Sequence, residues 1–417
     1  MDKILEQEAI KKLNKYNQQE IINILNILMD EEKEKLYNQV IRLDFEQIDK
    51  LYNELSKKEK VGTDNIEPII ALNKDKLSSE ELERYNLLGE HIIKNKQYSL
   101  VTMSGGQGTR LGFDKPKGEF VVDINPHPKF LFEILAEKLE EINEKYNIII
   151  PWYIMTSTEN NEEIQHFFAE HNNFGYPNEY LKFFKQEDLP LITENKELII
   201  GKDKLIREAA NGNGGIFNAM YKNGILEDME KRGVKWIFIG SIDNILLKIA
   251  DTTLIGLAED RKVEIATKSL MKNSPDEKVG AICKSSGSIK VIEYSEMSDE
   301  MKNKRNEDGE LTFGESHIMC NLFSMNALRT LVDKKLPYHI AHKKAEYLDN
   351  NGEIIKPTEP NAYKFETFIF DAWEYFDDIA ILRGKREEDF APIKNKDGVD
   401  SPKTAVELYN HYVEENN

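Results

Sequence analysis

The chain has 417 residues, 40% of them hydrophobic, which is enough for two or three domains with ordinary cores. Its formal net charge of -19 argues against nucleic acid as a partner, and no apolar run approaches the roughly 20 residues of a membrane span. We expect Cys283 and Cys320 to be free thiols, and the charged N-terminus MDKILEQEAI lacks the apolar core of a signal peptide, so a cytoplasmic protein without membrane attachment is predicted.

Helical periodicity dominates residues 1–96, where Glu, Lys, Gln and Asn alternate with Leu and Ile. The spacing predicts a helical N-terminal region, interrupted by a Val-Gly-Thr-Asp break at 61–64 and by Pro68. A scaffold with solvated charged faces explains the pattern best, and the alternative, a coiled-coil partner site, needs a longer heptad repeat. The apolar stripes are Ile21, Ile24, Leu25 and Leu28, then Leu36, Val40 and Leu43, then Ile48, Leu51, Tyr52 and Leu55.

From Tyr98 onward, short apolar runs alternate with helical stretches. This alternation predicts an α/β fold with a mostly parallel, Rossmann-like sheet and helices on both faces. Shorter runs at 280–284 and 289–294 predict a small antiparallel addition. In such sheets ligands bind beyond the carboxyl ends of the strands. The predicted strands are Tyr98–Met103, Ile148–Met155, Leu181–Phe184, Lys235–Ile242 and Val263–Thr267, and the predicted helices are Phe130–Tyr146 and Asn160–His171.

The segment YSLVTMSGGQGTRLGFDKPKGEF, residues 98–120, joins a strand to a glycine-rich loop and two cations. A strand that runs into glycines exposes successive backbone N–H groups, and glycine lets the backbone approach a phosphate closely. The two cationic side chains add positive charge to the same rim, so the segment predicts a cradle for a polyphosphate. Its glycines are Gly105, Gly106 and Gly108, and its cations are Arg110 and Lys117.

The spacing of this loop excludes the two commonest glycine-rich motifs. A P-loop needs Gly-Lys followed by Ser or Thr, which is absent here. A dinucleotide fingerprint G-x-G-x-x-G that starts at Gly106 and Gly108 is also excluded, because Gly112 falls one position too late. The alternative to a polyphosphate cradle is a glycine-rich turn that carries surface cations.

A second candidate is the pair Asp243-Asn244, which directly follows the apolar strand Trp236–Ile242. An acidic side chain in this position lies at the ligand-binding edge of the sheet, where Mg²⁺ is typically held by one or two carboxylates and substrate phosphates. A helix-capping or turn role for Asp243 is the alternative.

Three further segments allow two interpretations from the residues alone. The glycine-rich stretch Asn211–Gly215 is a connecting turn or a ligand loop, and Glu293 is a cross-strand charge partner or a ligand for hydroxyl groups. Phe368 and Phe370 have a spacing that is typical of a core as well as of a ligand wall. Lys394 in a charged tail is by itself typical of solvated surface, and only the resemblance described below implies a phosphate ligand.

The string GGQGTRLG-x3-PKG closely resembles the signature loop of the UDP-N-acetylhexosamine pyrophosphorylases. It resembles the UDP-glucose pyrophosphorylases less, since their loop usually carries Leu where Gln107 stands. The resemblance extends over nearly the whole chain from about residue 60, with further matches at 151–157 and 225–233. It implies a sugar nucleotidyltransferase fold.

The resemblance also implies roles for individual residues. Gln186 in FFKQ would read the uracil edge, because an amide offers both a donor and an acceptor. The loop at 211–215 is similar to the family's D-G-N-G-G loop around the uridine and sugar, although Asn211 replaces its Asp. Glu293 would accept hydrogen bonds from sugar hydroxyls, and Asn321 would contact the sugar phosphate or acetamido group. The implied substrate-binding set is Gly105, Gly106, Gly108, Gln186, Gly212, Asn213, Gly214, Asn244, Glu293, Asn321, Phe368 and Phe370.

The implied reaction is uridylyl transfer from UTP to N-acetylglucosamine 1-phosphate, with release of pyrophosphate and without a covalent intermediate. Mg²⁺ or Mn²⁺ would bind at Asp243, with Asp371 as a weaker second ligand. Glucose 1-phosphate or galactose 1-phosphate is the nearer alternative substrate, and a non-catalytic nucleotide-sugar sensor is the farther alternative. The expected catalytic residues are Arg110, Lys117, Lys364 and Lys394.

The expected organisation is a helical region at 1–96, a nucleotidyltransferase domain at 97–335 and a segment at 336–417 that completes the active site. The resemblance implies that the further C-terminal domain of eukaryotic relatives, which follows the segment matching 401–405, is missing here. We expect a monomer.

Overall fold

The computed structural model describes residues 2–56 and 66–416, which form two compact units. Of these residues, 2–56, 187–214 and 336–368 form the first unit, and the others form the second. The break predicted at 61–64 lies outside the described residues. The domain boundaries expected at residues 96 and 335 stay predictions, and both compact units are built from stretches that are separated in the chain.

Helices account for much of both units. None of the helices in the described ranges is long and apolar enough to cross a membrane. They are α1 (Lys3–Lys15), α2 (Gln19–Leu25), α3 (Asp30–Arg42), α4 (Phe45–Ser56), α5 (Ser79–Lys94), α6 (Leu131–Tyr146), α7 (Asn161–Glu170), α8 (Ile216–Lys222), α9 (Ile225–Lys231), α10 (Thr252–Arg261), α11 (Asp299–Asn303), α12 (Met325–Leu331), α13 (Arg386–Asp389) and α14 (Pro402–Asn416).

Strands build one large sheet in the second unit and several two-stranded sheets. They are β1 (Ile66–Pro68), β2 (Leu72–Asn73), β3 (Tyr98–Met103), β4 (Val121–Val122), β5 (Lys129–Phe130), β6 (Trp152–Thr156), β7 (Leu181–Lys185), β8 (Asp188–Pro190), β9 (Glu208–Ala210), β10 (Trp236–Ser241), β11 (Ile265–Met271), β12 (Ala281–Ser285), β13 (Ser288–Ile292), β14 (Glu315–Ser324), β15 (His339–Lys343), β16 (Tyr347–Leu348), β17 (Ile354–Ile355), β18 (Ala362–Glu366) and β19 (Ala380–Arg383).

The large sheet has the strand order β2-β19-β11-β14-β10-β3-β6-β7. Its strands are parallel except β14, which is antiparallel to both β10 and β11. An antiparallel branch, β1-β12-β13, joins the sheet where β12 pairs with β14. The predicted α/β fold, with a mostly parallel sheet and a small antiparallel addition, is confirmed.

The buried strands match their predictions closely. β3 covers the predicted range, and every residue of β3 and β6 is buried, as expected for parallel strands covered on both faces. β6 begins at Trp152 rather than at Ile148 because the N–H of Ile148 bonds Asn143 at the end of α6 and Pro151 has no N–H to donate. Both cysteines, in β12 and β14, are buried free thiols, as predicted.

In the first unit, α2 to α4 pack around the three predicted apolar stripes, and Ala9 and Leu13 of α1 join the same core. The stripe residues are buried, apart from the partly buried Tyr52 and Leu55. The same core includes Leu189, Ile192 and Leu198 from the stretch 187–214. It also includes Leu348 and Phe365 from the stretch 336–368. The helical scaffold predicted from the N-terminal sequence therefore depends on residues more than 130 positions away for its core.

Two glycines allow α5 and α10 to pack at backbone contact. A Cβ at Gly256 would lie 1.8 Å from the carbonyl oxygen of Tyr85, and a Cβ at Gly89 would lie 2.1 Å from that of Thr252. Backbone atoms cannot rotate away as side-chain atoms can, so a methyl group at either position must separate the helices.

We expect Gly256→Ala to lower the free energy of unfolding by about 1–3 kcal/mol, the usual cost of overpacking. This sign is opposite to the gain of about 1 kcal/mol that alanine usually gives over glycine in a helix. Urea unfolding of the purified variant measures it. Gly106→Ala is the control, since a Cβ there meets no atom within 4 Å, and equal stability of both variants would contradict the packing argument.

Candidate active site

The carboxyl ends of β3, β6, β7 and β10 meet at one edge of the large sheet. The glycine-rich loop leaves β3, Gln186 follows β7, and Asp243 follows β10. Gly105 and Gln186 are in close contact, since a Cβ at Gly105 would lie 2.2 Å from the Gln186 amide nitrogen. The fold thus brings the predicted base-reading residue to the predicted phosphate cradle.

The glycine-rich loop folds back on itself after Gly108. The N–H of Gly108 donates to the carbonyl of Lys115 at 2.9 Å, and the N–H of Lys117 donates to the carbonyl of Gly106 at 3.2 Å. These bonds return Lys117 to the start of the loop, whereas Arg110 lies on an exposed 3-10 turn, Thr109–Leu111. The loop therefore places one cation at the edge of the sheet and the other in solvent.

Lys117 and Asp243 form the central ion pair of the edge. Lys117 Nζ lies 3.1 Å from Asp243 Oδ2, and both side chains are about one-fifth exposed, at 17% and 20%. Burial alone raises the pKa of Asp243, but its attraction to Lys117 and Lys394 lowers it below the usual value. Asp243 is therefore ionised at neutral pH between two cations.

Lys394 reaches this edge through backbone pairing. The N–H of Ile393, its neighbour, donates to the carbonyl of Asp243 at 2.8 Å. Lys394 Nζ lies 3.8 Å from the carboxylate of Asp400. The structure thus gathers Lys117, Asp243 and Lys394, which are separated in sequence by more than 270 residues, into one alternating cluster of charges.

Asp243 has the chemistry of a metal ligand but stands alone in that respect. Among residues 2–56 and 66–416, no group of three or more His, Cys, Asp or Glu side chains could hold a metal ion. A single carboxylate beside two lysines suits Mg²⁺ when phosphate oxygens and water supply the other ligands. Asp371, the weaker candidate, is buried at 8% exposure.

On the antiparallel side, Asn321 is fully buried next to a histidine that the sequence did not single out. His317 Nε2 lies 2.9 Å from Asn321 Oδ1, and Asn321 Nδ2 has no partner among the described residues. The ring of His317 packs edge-on against Phe370, at 5.6 Å between ring centroids. Glu293 follows β13 and binds the N–H of Glu296 through its carbonyl, at 2.9 Å.

A bulge in β14 brings His317 and Asn321 together. Thr267 of β11 opposes Asn321 and Ser269 opposes His317, so two steps along β11 match four along β14. Met319, between them, has a φ of +57°. Sequence spacing does not reveal such a bulge, and this is why His317 was missed.

In the first unit, the predicted loop at 211–215 packs against the chain at 366–368. Gly212 has a φ of +87°, and a Cβ there would lie 2.3 Å from the carbonyl oxygen of Thr367. The N–H of Gly214 donates to the same carbonyl at 2.9 Å. Close backbone packing therefore requires glycine at 212 and 214, whatever their role towards a ligand. Asn213 lies between them.

Two further candidates lie next to that loop. A Cβ at Gly214 would come within 2.8 Å of the backbone of Phe368, whose ring lies 4.4 Å from that of His339. Lys364 Nζ binds Glu366 Oε1 at 2.8 Å. The roles of Lys364 and Phe368 towards a substrate stay predictions from the resemblance.

Comparison with known proteins supports the resemblance. A family model described as UTP–glucose-1-phosphate uridylyltransferase matches residues 43–405. The chain belongs to this family. UDP-N-acetylhexosamine pyrophosphorylase-like protein 1 of Xenopus tropicalis is 37% identical over 345 residues, which cover 80% of this chain and 67% of the relative. UDP-N-acetylglucosamine pyrophosphorylase of Saccharomyces cerevisiae is 36% identical over 344 residues, covering 80% and 72%.

A solved structure of this uridylyltransferase family extends the match to the fold. The uridine diphosphate N-acetylglucosamine pyrophosphorylase of Trypanosoma brucei superimposes with a TM-score of 0.81 at 28% identity, covering 98% of this chain and 84% of that one. The family assignment predicted from the glycine-rich loop is confirmed. The assignment of individual site residues stays a prediction.

The buried His317 makes a testable contribution to acid sensitivity. Burial lowers its pKa from 6.5 to about 4, so the unfolded chain binds more protons than the folded one between these values. The free energy of unfolding should therefore fall by about 3 kcal/mol through this residue as the pH drops from 7 to 4. Urea unfolding at several pH values should show a shallower decline for His317→Gln, which cannot titrate. Parallel declines in both proteins would contradict the assignment.

Proposed function

We propose that this uridylyltransferase-family protein transfers the uridylyl group of UTP to N-acetylglucosamine 1-phosphate and releases pyrophosphate. The observation that carries the proposal is the cluster of Lys117, Asp243 and Lys394 at the carboxyl edge of the sheet, beside the glycine-rich loop. Two relatives whose printed names specify N-acetylhexosamine or N-acetylglucosamine support the choice of sugar.

The chemistry requires positioning and charge neutralisation rather than a strong base. The sugar phosphate is already anionic at neutral pH, so its oxygen can attack the α-phosphorus of UTP in line while pyrophosphate leaves opposite. Backbone N–H groups from Gly105 to Gln107 and the cations Arg110 and Lys117 are proposed to hold the departing phosphates. Lys394 is proposed to bind the reacting phosphate, where negative charge concentrates in the transition state.

We propose Asp243 as the protein ligand of Mg²⁺ or Mn²⁺. When bound, the ion would neutralise phosphate charge. The place of Asp243 supports the proposal, because it follows β10 at the edge where the glycine-rich loop leaves β3, and Mg²⁺ is typically held by one or two carboxylates together with substrate phosphates.

The same site allows two alternative functions, uridylyl transfer to glucose 1-phosphate and non-catalytic sensing of a nucleotide sugar. The description of the family model favours glucose 1-phosphate as the substrate. A non-catalytic nucleotide-sugar sensor needs no stabilisation of leaving pyrophosphate, and the presence of Lys117, Asp243 and Lys394 in one cluster argues against it.

The choice of sugar is tested by measuring pyrophosphate release from UTP with a panel of sugar 1-phosphates. An acetamido group offers one donor and one acceptor, and pocket groups that match both are left unpaired by a hydroxyl, at about 1–3 kcal/mol each. We expect kcat/KM for N-acetylglucosamine 1-phosphate to exceed that for glucose 1-phosphate by at least about tenfold. Equal or better use of glucose 1-phosphate would favour the glucose reading, and no release with any sugar would favour the sensor.

The metal proposal is tested with Asp243→Asn. We expect this variant to need far more Mg²⁺ for its half-maximal rate and to bind Mn²⁺ weakly in the presence of UTP, as measured by electron paramagnetic resonance. Asp400→Asn is the matched control, because Asp400 also faces Lys394 but is not assigned to the metal. Unchanged metal binding by Asp243→Asn would assign Asp243 to a structural role.

A further inference from the structure

The segment that carries Lys394 is attached to the loop after β10 by only a few backbone bonds. The N–H of Ile245 donates to the carbonyl of Ala391 at 3.2 Å, and the N–H of Ile393 donates to the carbonyl of Asp243 at 2.8 Å. Pro392, between them, has no N–H and cannot add a third bond from its side. Two backbone bonds thus join this segment to the loop after β10, and the N–H of Lys394 itself donates to the carbonyl of Asp400 at 2.7 Å.

The side chain of Asn244 adds hydrogen bonds between the loop after β10 and the segment that carries Lys394. Its Nδ2 donates to the carbonyl of Asp389 at 2.7 Å, and its Oδ1 accepts from the N–H of Ala391 at 2.9 Å and from that of Leu246 at 3.2 Å. The residue is only 7% exposed. The amide oxygen thus accepts two bonds, and the nitrogen uses one of its two hydrogens, so a single N–H is left for another partner.

Asp389, whose carbonyl accepts the hydrogen bond from Asn244, is itself held by a buried side chain. Its carboxylate accepts a hydrogen bond from Lys268 Nζ and another from the N–H of Lys385 at 3.1 Å. Lys268 is fully buried on β11 and also binds Asp251 at 2.6 Å, the residue that caps α10. The large sheet thus fixes the position of Asp389 through Lys268. Asn244, which bonds both Asp389 and Ala391, holds Ala391 relative to it.

We propose that Asn244 is a positioning residue, which holds the segment 389–394 so that Lys394 faces the Lys117–Asp243 pair. The kinetic test of this role rests on the proposed function, because kcat is measured for uridylyl transfer. The resemblance implies that Asn244 is a substrate ligand. In the structure its side chain forms hydrogen bonds to the backbone of Asp389 and Ala391.

The first experiment is a double-mutant cycle in the full-length protein with Asn244→Ala and Lys394→Ala. A displacement of about 1 Å in a reacting group can cost about a hundredfold in rate, so we expect Asn244→Ala to lower kcat by about 10- to 100-fold. Because Asn244 acts through Lys394, the same change should cost less than about twofold in the Lys394→Ala background. Asn244→Asp keeps the volume but puts a carboxylate in place of the donor, opposite the carbonyl of Asp389, and should therefore also lower kcat.

Asn143→Ala is the matched control for general loss of stability. Asn143 lies in the same unit and ties the chain in a similar way, since its Oδ1 accepts from the N–H of Ile150 at 2.9 Å and its Nδ2 donates to Tyr176 at 3.2 Å. We expect both alanine variants to lower the melting temperature, whereas only Asn244→Ala lowers kcat when both are assayed well below their melting temperatures.

A second measurement does not need turnover. The rate at which an amine-reactive reagent labels Lys394, followed by peptide mass spectrometry, should rise at least about threefold in Asn244→Ala and stay unchanged in Asn143→Ala, because the lysine is released from its neighbours. If the wild-type protein transfers no uridylyl group but this labelling difference is seen, the proposed function fails and the positioning role stands.

The role of Asn244 is overturned by any of three results. The first is an unchanged kcat in Asn244→Ala. The second is an undiminished loss in the Lys394→Ala background, which would mean that Asn244 acts on the substrate independently. The third is equal labelling of Lys394 in the wild-type protein and in Asn244→Ala.

Discussion

The buried charge of Lys268 is the constraint on which the active edge depends. Burial alone lowers the pKa of Lys268, but Asp251 and Asp389 raise it well above the usual value, so the ammonium group stays charged. Removal of one partner from such a buried pair costs about 3–5 kcal/mol, because the remaining charge is left uncompensated. The two aspartates must therefore stay at hydrogen-bond distance from one point on β11. One of them caps α10 and the other precedes the segment of Lys394, so this helix and the segment that carries Lys394 are fixed to the sheet together.

Charge is used differently over the surface and at the edge of the sheet. The protein as a whole carries a net charge of -19, which repels a nucleoside triphosphate at long range. Salt screens this repulsion beyond about 8 Å at physiological ionic strength, so the local field decides binding. Close to the glycine-rich loop that field is set by Lys117 and Lys394 on either side of Asp243. Binding should thus depend on a few cations near the phosphates more than on the overall charge.

Local patterns in the sequence predicted the parts of the fold that local forces determine. β3, α6 and the apolar stripes of α2 to α4 follow directly from the pattern of apolar residues, since burial decides them. The glycine-rich loop also identified the family, because the order and spacing of its glycines and cations resemble the family's signature loop. The assembly of the first unit from three separated stretches could not be predicted, because long-range contacts leave no periodic signal.

The limits of sequence reasoning at the site have the same cause. Asn244 carries a side chain that suits either a ligand or a bond between two stretches of backbone, and the sequence does not show that Asp389, 145 residues later, accepts its hydrogen bond. His317 depends on a bulge in β14 that spacing does not reveal. The residues of the charge cluster were found because their chemistry is unusual at the end of a strand, whereas Asp389 and Lys268 resemble ordinary surface charges in the sequence.

The position of β19 has a consequence for how the protein is made. This strand, residues 380–383, lies between β2 and β11 in the large sheet, although β2 is synthesised more than 300 residues earlier. Until β19 leaves the ribosome, β2 lacks its partner and one side of β11 presents an unpaired edge. The sheet therefore closes only when most of the chain has been translated, and an exposed edge over that period favours association with other nascent chains. Chaperone binding during synthesis would protect the edge at this stage.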